Sequence, residues 1–220
     1  MKINVTFQLL LYSCFIAIAG YGQTDKGSFL LGGSIGFTRN ANTTYGTSNS
    51  NIISESKWFS IAAQPSVSYF IIDRLTVGLI TPYSYAKTNS KSNLSTEMIS
   101  TTKTYSVGPT VRYYFLLGSQ WAIFPEVSYS YGWTWDKYPN IISQNPYSVV
   151  YTKSTEKMSS FQGGVGLVYF LTQSVGIEGR AFYQTQHTRY EEESYGIKSI
   201  DEPSFNFGLG VQIYFAKNKK

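Results

Sequence analysis

Cysteine is almost missing from this chain of 220 residues: the only one, Cys14, lies near the start. Residues 1–22 carry a charge at Lys2, an apolar stretch from Val5 to Ala19 and small residues after it, the pattern of a cleaved secretory signal peptide. Cleavage is expected after Gly22, with Ala19 as the alternative. Apolar residues continue past Cys14, which argues against a lipoprotein anchor there. The exported chain then has no thiol, so disulfides and cysteine nucleophiles are excluded. Histidine is equally scarce, with His187 alone. One imidazole without a thiol gives no zinc set, and the glycines alternate along apparent strands rather than forming a phosphate loop. No metal and no cofactor are expected.

Charge is also low. Charged residues make up 14% of the chain, where soluble domains hold about 25%. The formal net charge of +5 is spread along the chain, and the dense tract Lys217, Lys219 and Lys220 reads as a solvated tail. Without a basic face, nucleic acid is not an expected partner. The apolar stretch at the start is too short to cross a bilayer as a helix, and no later segment shows helical periodicity.

What the chain has instead is aromatic residues, 17% of the total with 19 Tyr, arranged with a period of two. Eight alternating faces recur: Phe29 to Phe37, Phe59 to Tyr69, Leu75 to Tyr85, Tyr105 to Phe115, Trp121 to Trp133, Phe161 to Tyr169, Val175 to Tyr183 and Phe205 to Phe215. The connections alternate too. Tight turns are expected near Ile71–Arg74, Gly118–Gln120 and Thr172–Ser174. Long polar loops are expected at 39–56, 86–102, 134–157 and 186–203. An even number of strands with short turns at one end and long loops at the other is the layout of an up-and-down transmembrane barrel. Tyr69-Phe70, Tyr114-Phe115, Tyr169-Phe170 and Tyr214-Phe215 are expected to form an aromatic girdle at the short-turn end. Trp58, Tyr83, Tyr85, Tyr105, Tyr131, Trp133 and Tyr183 would form the second.

The other face decides between a soluble and a membrane barrel. A lipocalin-like barrel keeps its apolar face inside and exposes Lys and Glu. Here the second face is mostly Ser, Thr and Gly, with Gln64, Arg112, Glu126, Gln162, Glu178, Arg180, Asn206 and Gln212. That is too little charge for a water-facing wall but suits a narrow polar lumen. Pairing Leu117 with Trp121 across Gly118-Ser119-Gln120 sets Arg112 opposite Glu126, close enough for an ion pair. Glu178 and Arg180, two residues apart, share one inward face. The four charges sum to zero and are expected to form one lumen network. Pro65, Pro82, Pro109 and Pro125 fall within strands and require irregular ladders there.

Gly108-Pro109-Thr110-Val111-Arg112-Tyr113-Tyr114-Phe115, Phe124-Pro125-Glu126-Val127-Ser128-Tyr129 and Gly163-Gly164-Val165-Gly166-Leu167-Val168-Tyr169-Phe170 resemble the small outer-membrane β-barrel domain family. So does Phe207-Gly208-Leu209-Gly210-Val211-Gln212-Ile213-Tyr214-Phe215. The resemblance covers nearly all of residues 27–215. It implies an all-β, eight-stranded antiparallel up-and-down barrel in the outer membrane of a diderm bacterium, inserted by the barrel assembly machinery, with outer-membrane lipid around it. Gly-Pro and Phe-Pro pairs within strands fit the family. Barrels of this kind often finish on an aromatic residue, whereas Ala216–Lys220 follow Phe215 here.

The expected role is non-enzymatic: a plugged barrel presenting surface loops for envelope stability, adhesion or an unknown surface partner. The alternative is a narrow path for small or apolar solutes, through movement of lumen side chains or a lateral opening past Gly164, Gly166, Gly208 and Gly210. An outer-membrane hydrolase is the third reading, with His187 as base near Ser194 and Glu191–Glu193. A histidine in a surface loop accounts for the same residues.

Overall fold

Strict alternation of side chains shapes the whole molecule. The computed structural model describes residues 23–45, 52–92, 97–144, 147–194 and 197–216; residues 1–22, expected as the signal peptide, lie outside them. The strands are β1 (Phe29–Tyr45), β2 (Ile52–Ile72), β3 (Leu75–Ile80), β4 (Tyr83–Ser92), β5 (Glu97–Tyr113), β6 (Phe115–Leu117), β7 (Trp121–Gln144), β8 (Tyr147–Phe170), β9 (Val175–Ser194) and β10 (Ile197–Phe215). β3 with β4, and β5 with β6, each form one interrupted stave, so ten segments make eight staves. Every stave pairs antiparallel with its chain neighbour, and β1 pairs with β10 to close the ring. The fold is an eight-stranded antiparallel up-and-down β-barrel.

Through the paired region odd-numbered residues face outward and even-numbered ones inward. On β7, Trp121, Ile123, Val127, Tyr129, Tyr131 and Trp133 are exposed, while Ala122, Phe124, Glu126, Ser128, Ser130 and Thr134 are buried. The apolar face is therefore the outside, the reverse of a water-soluble barrel. A closed ring is what allows this, because most backbone groups bond within the wall and need no water. At the short-turn end Phe29 packs on Tyr69 and Trp121 on Tyr169, with ring centroids 4.9 and 4.6 Å apart.

The girdle expected there is half right. In each Tyr-Phe pair one member points out and the other in: Phe70, Tyr114, Phe170 and Tyr214 are buried in the lumen. Period two forbids both from facing lipid. The inward rings pack against one another and on Phe124 in tilted and edge-to-face contacts, with centroids 5.2 Å apart for Tyr114–Phe124 and 5.3 Å for Phe170–Tyr214. Trp58 is likewise displaced from the outer girdle, since its even parity sets it at the lumen mouth.

The prolines border gaps in the ladders. Pro82 falls between β3 and β4, where the Thr81 amide donates to the Pro65 carbonyl at 3.0 Å. The β5–β7 ladder skips Gly108 and Pro109, and Pro125 faces the interruption between β5 and β6. Each missing N–H thus meets a place where no partner is required.

The segments 39–56, 86–102, 134–157 and 186–203 differ from their expectation as loops. Their described residues are mostly strand, continuing the staves as long hairpins. β7 and β8 pair as far as Gln144↔Tyr147.

Candidate functional site

The inward face divides the lumen into two storeys. The lower is packed. Leu30, Phe70, Tyr114, Ala122, Phe124, Val168, Phe170 and Tyr214 form its apolar floor. Residues before β1 tie the base together: the Gly27 amide donates to the Phe70 carbonyl at 2.8 Å and the Arg74 amide to the Thr24 carbonyl at 2.7 Å. Gly118 adopts φ +81°, the left-handed conformation that suits glycine, in the turn that sets the β6–β7 register.

On this floor lie four charges. β5 supplies Arg112, β7 supplies Glu126, and β9 supplies Glu178 and Arg180. Leu117 pairs with Trp121, and Arg112 with Glu126. Arg112 Nε lies 2.7 Å from Glu126 Oε2, and Arg112 Nη1 donates to Glu178 Oε2 at 3.0 Å. Arg180 Nη1 donates to Glu126 Oε1 and Oε2 at 3.0 and 3.2 Å. The structure brings all four together, with Glu126 shared by both arginines. All are buried, the most exposed being Glu126 at 9%. Arg112 and Arg180 also sit over the rings of Phe124 and Phe182, 4.9 and 5.0 Å from their centroids.

β8 lies between β7 and β9 and would obstruct this meeting if it carried large inward residues. It carries Gly164 and Gly166 instead. A Cβ on Gly166 would stand 2.2 Å from Phe124 Cζ, so the ring occupies the space the glycine leaves. The small inward residues considered for a solute path are filled in this way at Gly166. Beside the network a void of only about 10 Å³ remains.

Above the plug the lumen opens into a cavity of about 450 Å³. Ser34, Ser60, Gln64, Ser106, Gln162 and Asn206 are among its polar lining, with Phe37, Phe205 and Phe207 along one side. That side is the β1–β10 seam. The ladder joining these strands runs from Phe29↔Phe215 to Ile35↔Leu209 and goes no higher, although both strands continue. Phe37 and Phe207, just above, are the most exposed large apolar residues described, at 82% and 74%.

His187 stands outside the wall. Its Nδ1 lies 2.6 Å from Asp201 Oδ1, both side chains being exposed, and Ser159 is its partner on β8. The side chains of Glu191–Glu193 and Ser194 lie outside the described residues. Among the described residues no cluster of three or more His, Cys, Asp or Glu side chains could hold a metal.

A closed ring, an apolar exterior and a charged, packed interior define a transmembrane β-barrel of the outer-membrane type. No family model and no curated protein matches the chain in sequence. Solved structures resemble it at low identity. OprG from Pseudomonas aeruginosa is 14% identical, with 89% of this chain and 100% of that one covered, at a TM-score of 0.45. Neisserial surface protein A is 16% identical, covering 86% and 99%, at 0.43. The outer membrane protease OmpT from Escherichia coli is 7% identical, covering 91% and 99%, at 0.38. These likenesses carry no information on role.

Proposed function

We propose that the protein is a non-enzymatic outer-membrane barrel, closed to through-flow, whose extended hairpins present a surface for envelope stability, adhesion or partner binding. The observation that carries this reading is the lower storey. Two arginines, two glutamates and a cluster of aromatic rings leave about 10 Å³ free beside the charges. Hydrated ions have no route past side chains that hold one another this closely. The hairpins, by contrast, extend the staves well beyond the apolar band and offer most of the polar surface. Planar-bilayer recording of the purified barrel tests the reading: no steady porin-sized conductance is expected, and a large stable one would overturn it.

A second reading has its own observation. The cavity of about 450 Å³ meets the unpaired seam between β1 and β10, flanked by Phe37, Phe205 and Phe207. This favours lateral exchange of a small apolar solute between the upper lumen and the bilayer, without passage through the plug.

A further inference from the structure

Basic residues scattered along the chain gather in space. On β1, the outward residue after Phe37 is Arg39; on β2, the one beyond Phe59 is Lys57; on β4, Lys87 follows Tyr85. On β5, Lys103 comes after Tyr105, and on β7, Lys137 comes after Trp135. β8 and β9 carry Lys157 and Arg189, which are direct cross-strand partners. Seven of the eight staves therefore meet their first outward Lys or Arg just above the upper aromatic residues, and the level is all but uniform in sign. Asp201 on β10 is the acidic exception, and it is joined to His187. Chance placement would mix Asp and Glu into such a level.

The densest part lies on β1, β2 and β4. Arg39 and Lys87 both pair with Phe59, from opposite sides, and Lys57 is the next outward residue on the same strand. Together with Phe37, Phe59 and Asn89 these cations line an outer-wall groove of about 510 Å³. All three are exposed; among the described residues Glu55 makes an ion-pair contact with them, its Oε2 4.0 Å from Lys57 Nζ, and Glu97 accepts from Asn89 at the groove edge, so neither carboxylate pairs closely with the three cations. The groove thus has a cationic top and an apolar base continuous with the lipid-facing wall.

We propose that Arg39, Lys57 and Lys87 bind the phosphate-bearing headgroup of a lipid in the surrounding leaflet, whose acyl chains lie against Phe37, Phe59 and Ile61. Charge complementarity fixes the head as anionic, and Arg with two Lys suits phosphate. The apolar wall below fixes the source as a lipid rather than a dissolved anion. Long basic side chains reach such an interface while their stems cover apolar surface. The inference rests on the membrane placement proposed above and adds a lipid partner to it.

The probe is dioleoyl phosphatidic acid at one-tenth of the lipid in dioleoyl phosphatidylcholine nanodiscs holding the full mature chain. Lipids kept after mild detergent extraction are counted by native mass spectrometry. Phosphatidic acid is expected to be retained at least ~10-fold over its share of the bilayer, less so in high salt because exposed charges are screened. Arg39→Gln/Lys57→Gln/Lys87→Gln should abolish the enrichment, whereas Lys26→Gln at the opposite end should keep it. Each variant is first checked for the folded, unboiled gel mobility, and Lys87→Gln alone, expected to lower retention several-fold, serves if the triple variant does not fold. Equal retention of the two lipids, or unchanged enrichment in the folded variants, would overturn the proposal. So would complete displacement by millimolar inorganic phosphate, which would assign the site to a free anion. Failure of the chain to enter nanodiscs would instead defeat the membrane placement itself.

Discussion

Arg112 has two partners, and they are not equivalent. Glu126 also accepts from Arg180, whereas Glu178 has Arg112 as its ion-pair partner among the described residues. Removing Arg112 therefore strands Glu178 more than Glu126. Leaving one member of a buried pair costs about 3–5 kcal/mol, because the remaining charge stays desolvated. Arg112→Met should destabilise the barrel by that order, and adding Glu178→Gln should recover more of the loss than adding Glu126→Gln. Double-mutant cycles in detergent or lipid measure both couplings; equal recovery would show that the network is not ordered this way. The 112–126 pairing could be read in the sequence, because a three-residue turn fixes the register of its own hairpin. The partnership with Glu178 could not, since it depends on the lumen width and on Gly164 and Gly166 clearing the way over β8. His187 poses a simpler question. If its bond to Asp201 is only a contact on the outer wall, neither His187→Ala nor Ser159→Ala alters any surface phenotype, and a fluorophosphonate probe leaves Ser159 unlabelled. Labelling that depends on His187 would support a hydrolase with Ser159 in place of the expected Ser194, in which loss of a general base costs about 100-fold or more in rate.

Strands were legible where their two faces meet different surroundings. Between Phe29 and Phe37, or Trp121 and Trp133, one face meets lipid and the other the lumen, so alternation is written in the residue types. Above that level both faces meet water or polar neighbours, and Asn, Thr, Ser and Lys suit either side. The hairpin extensions past Arg39, Lys87, Lys137 and His187 consequently resemble loops in sequence while their backbones continue the ladders. The same blindness hides the end of the β1–β10 ladder, which no residue pattern marks. It has an observable consequence in amide exchange. Below Ile35↔Leu209 both edges of β1 are bonded, whereas above it only the edge toward β2 is. Beyond Gly36 slow and fast amides should therefore alternate along β1, the fast ones facing the seam, with the complementary pattern on β10 below residue 209. Mass-resolved or NMR-detected exchange in micelles reads this directly, and uniform protection through Phe37–Asn42 would close the seam.

A barrel is only as closed as its weakest ladder. β1 and β10 share seven register pairs, against seventeen between β1 and β2. The other connected staves are also held by turns, while β1 and β10 join the two ends of the ring with no turn between them. Thermal opening should therefore begin at this seam. The folded barrel is expected to resist dodecyl sulfate and run at an anomalous position until boiled, because a closed ring leaves few edges for detergent to attack. Cys14 is the single cysteine of the sequence and lies outside the described residues, so in a chain starting at Gln23 a disulfide can be introduced without competitors. Leu31→Cys with Ile213→Cys joins direct cross-strand partners on the seam, and Ile123→Cys with Leu167→Cys does the same between β7 and β8. Both pairs face outward within the apolar band, so neither disturbs the lumen charges. Oxidation of the seam pair should raise the temperature at which the mobility shift occurs by several degrees, while the β7–β8 pair, which staples a ladder that yields late, should change it little. Reduction should abolish the difference. If the two staples raise the temperature equally, opening is not led by the seam, and if neither barrel shifts on boiling, the closed ring itself is wrong.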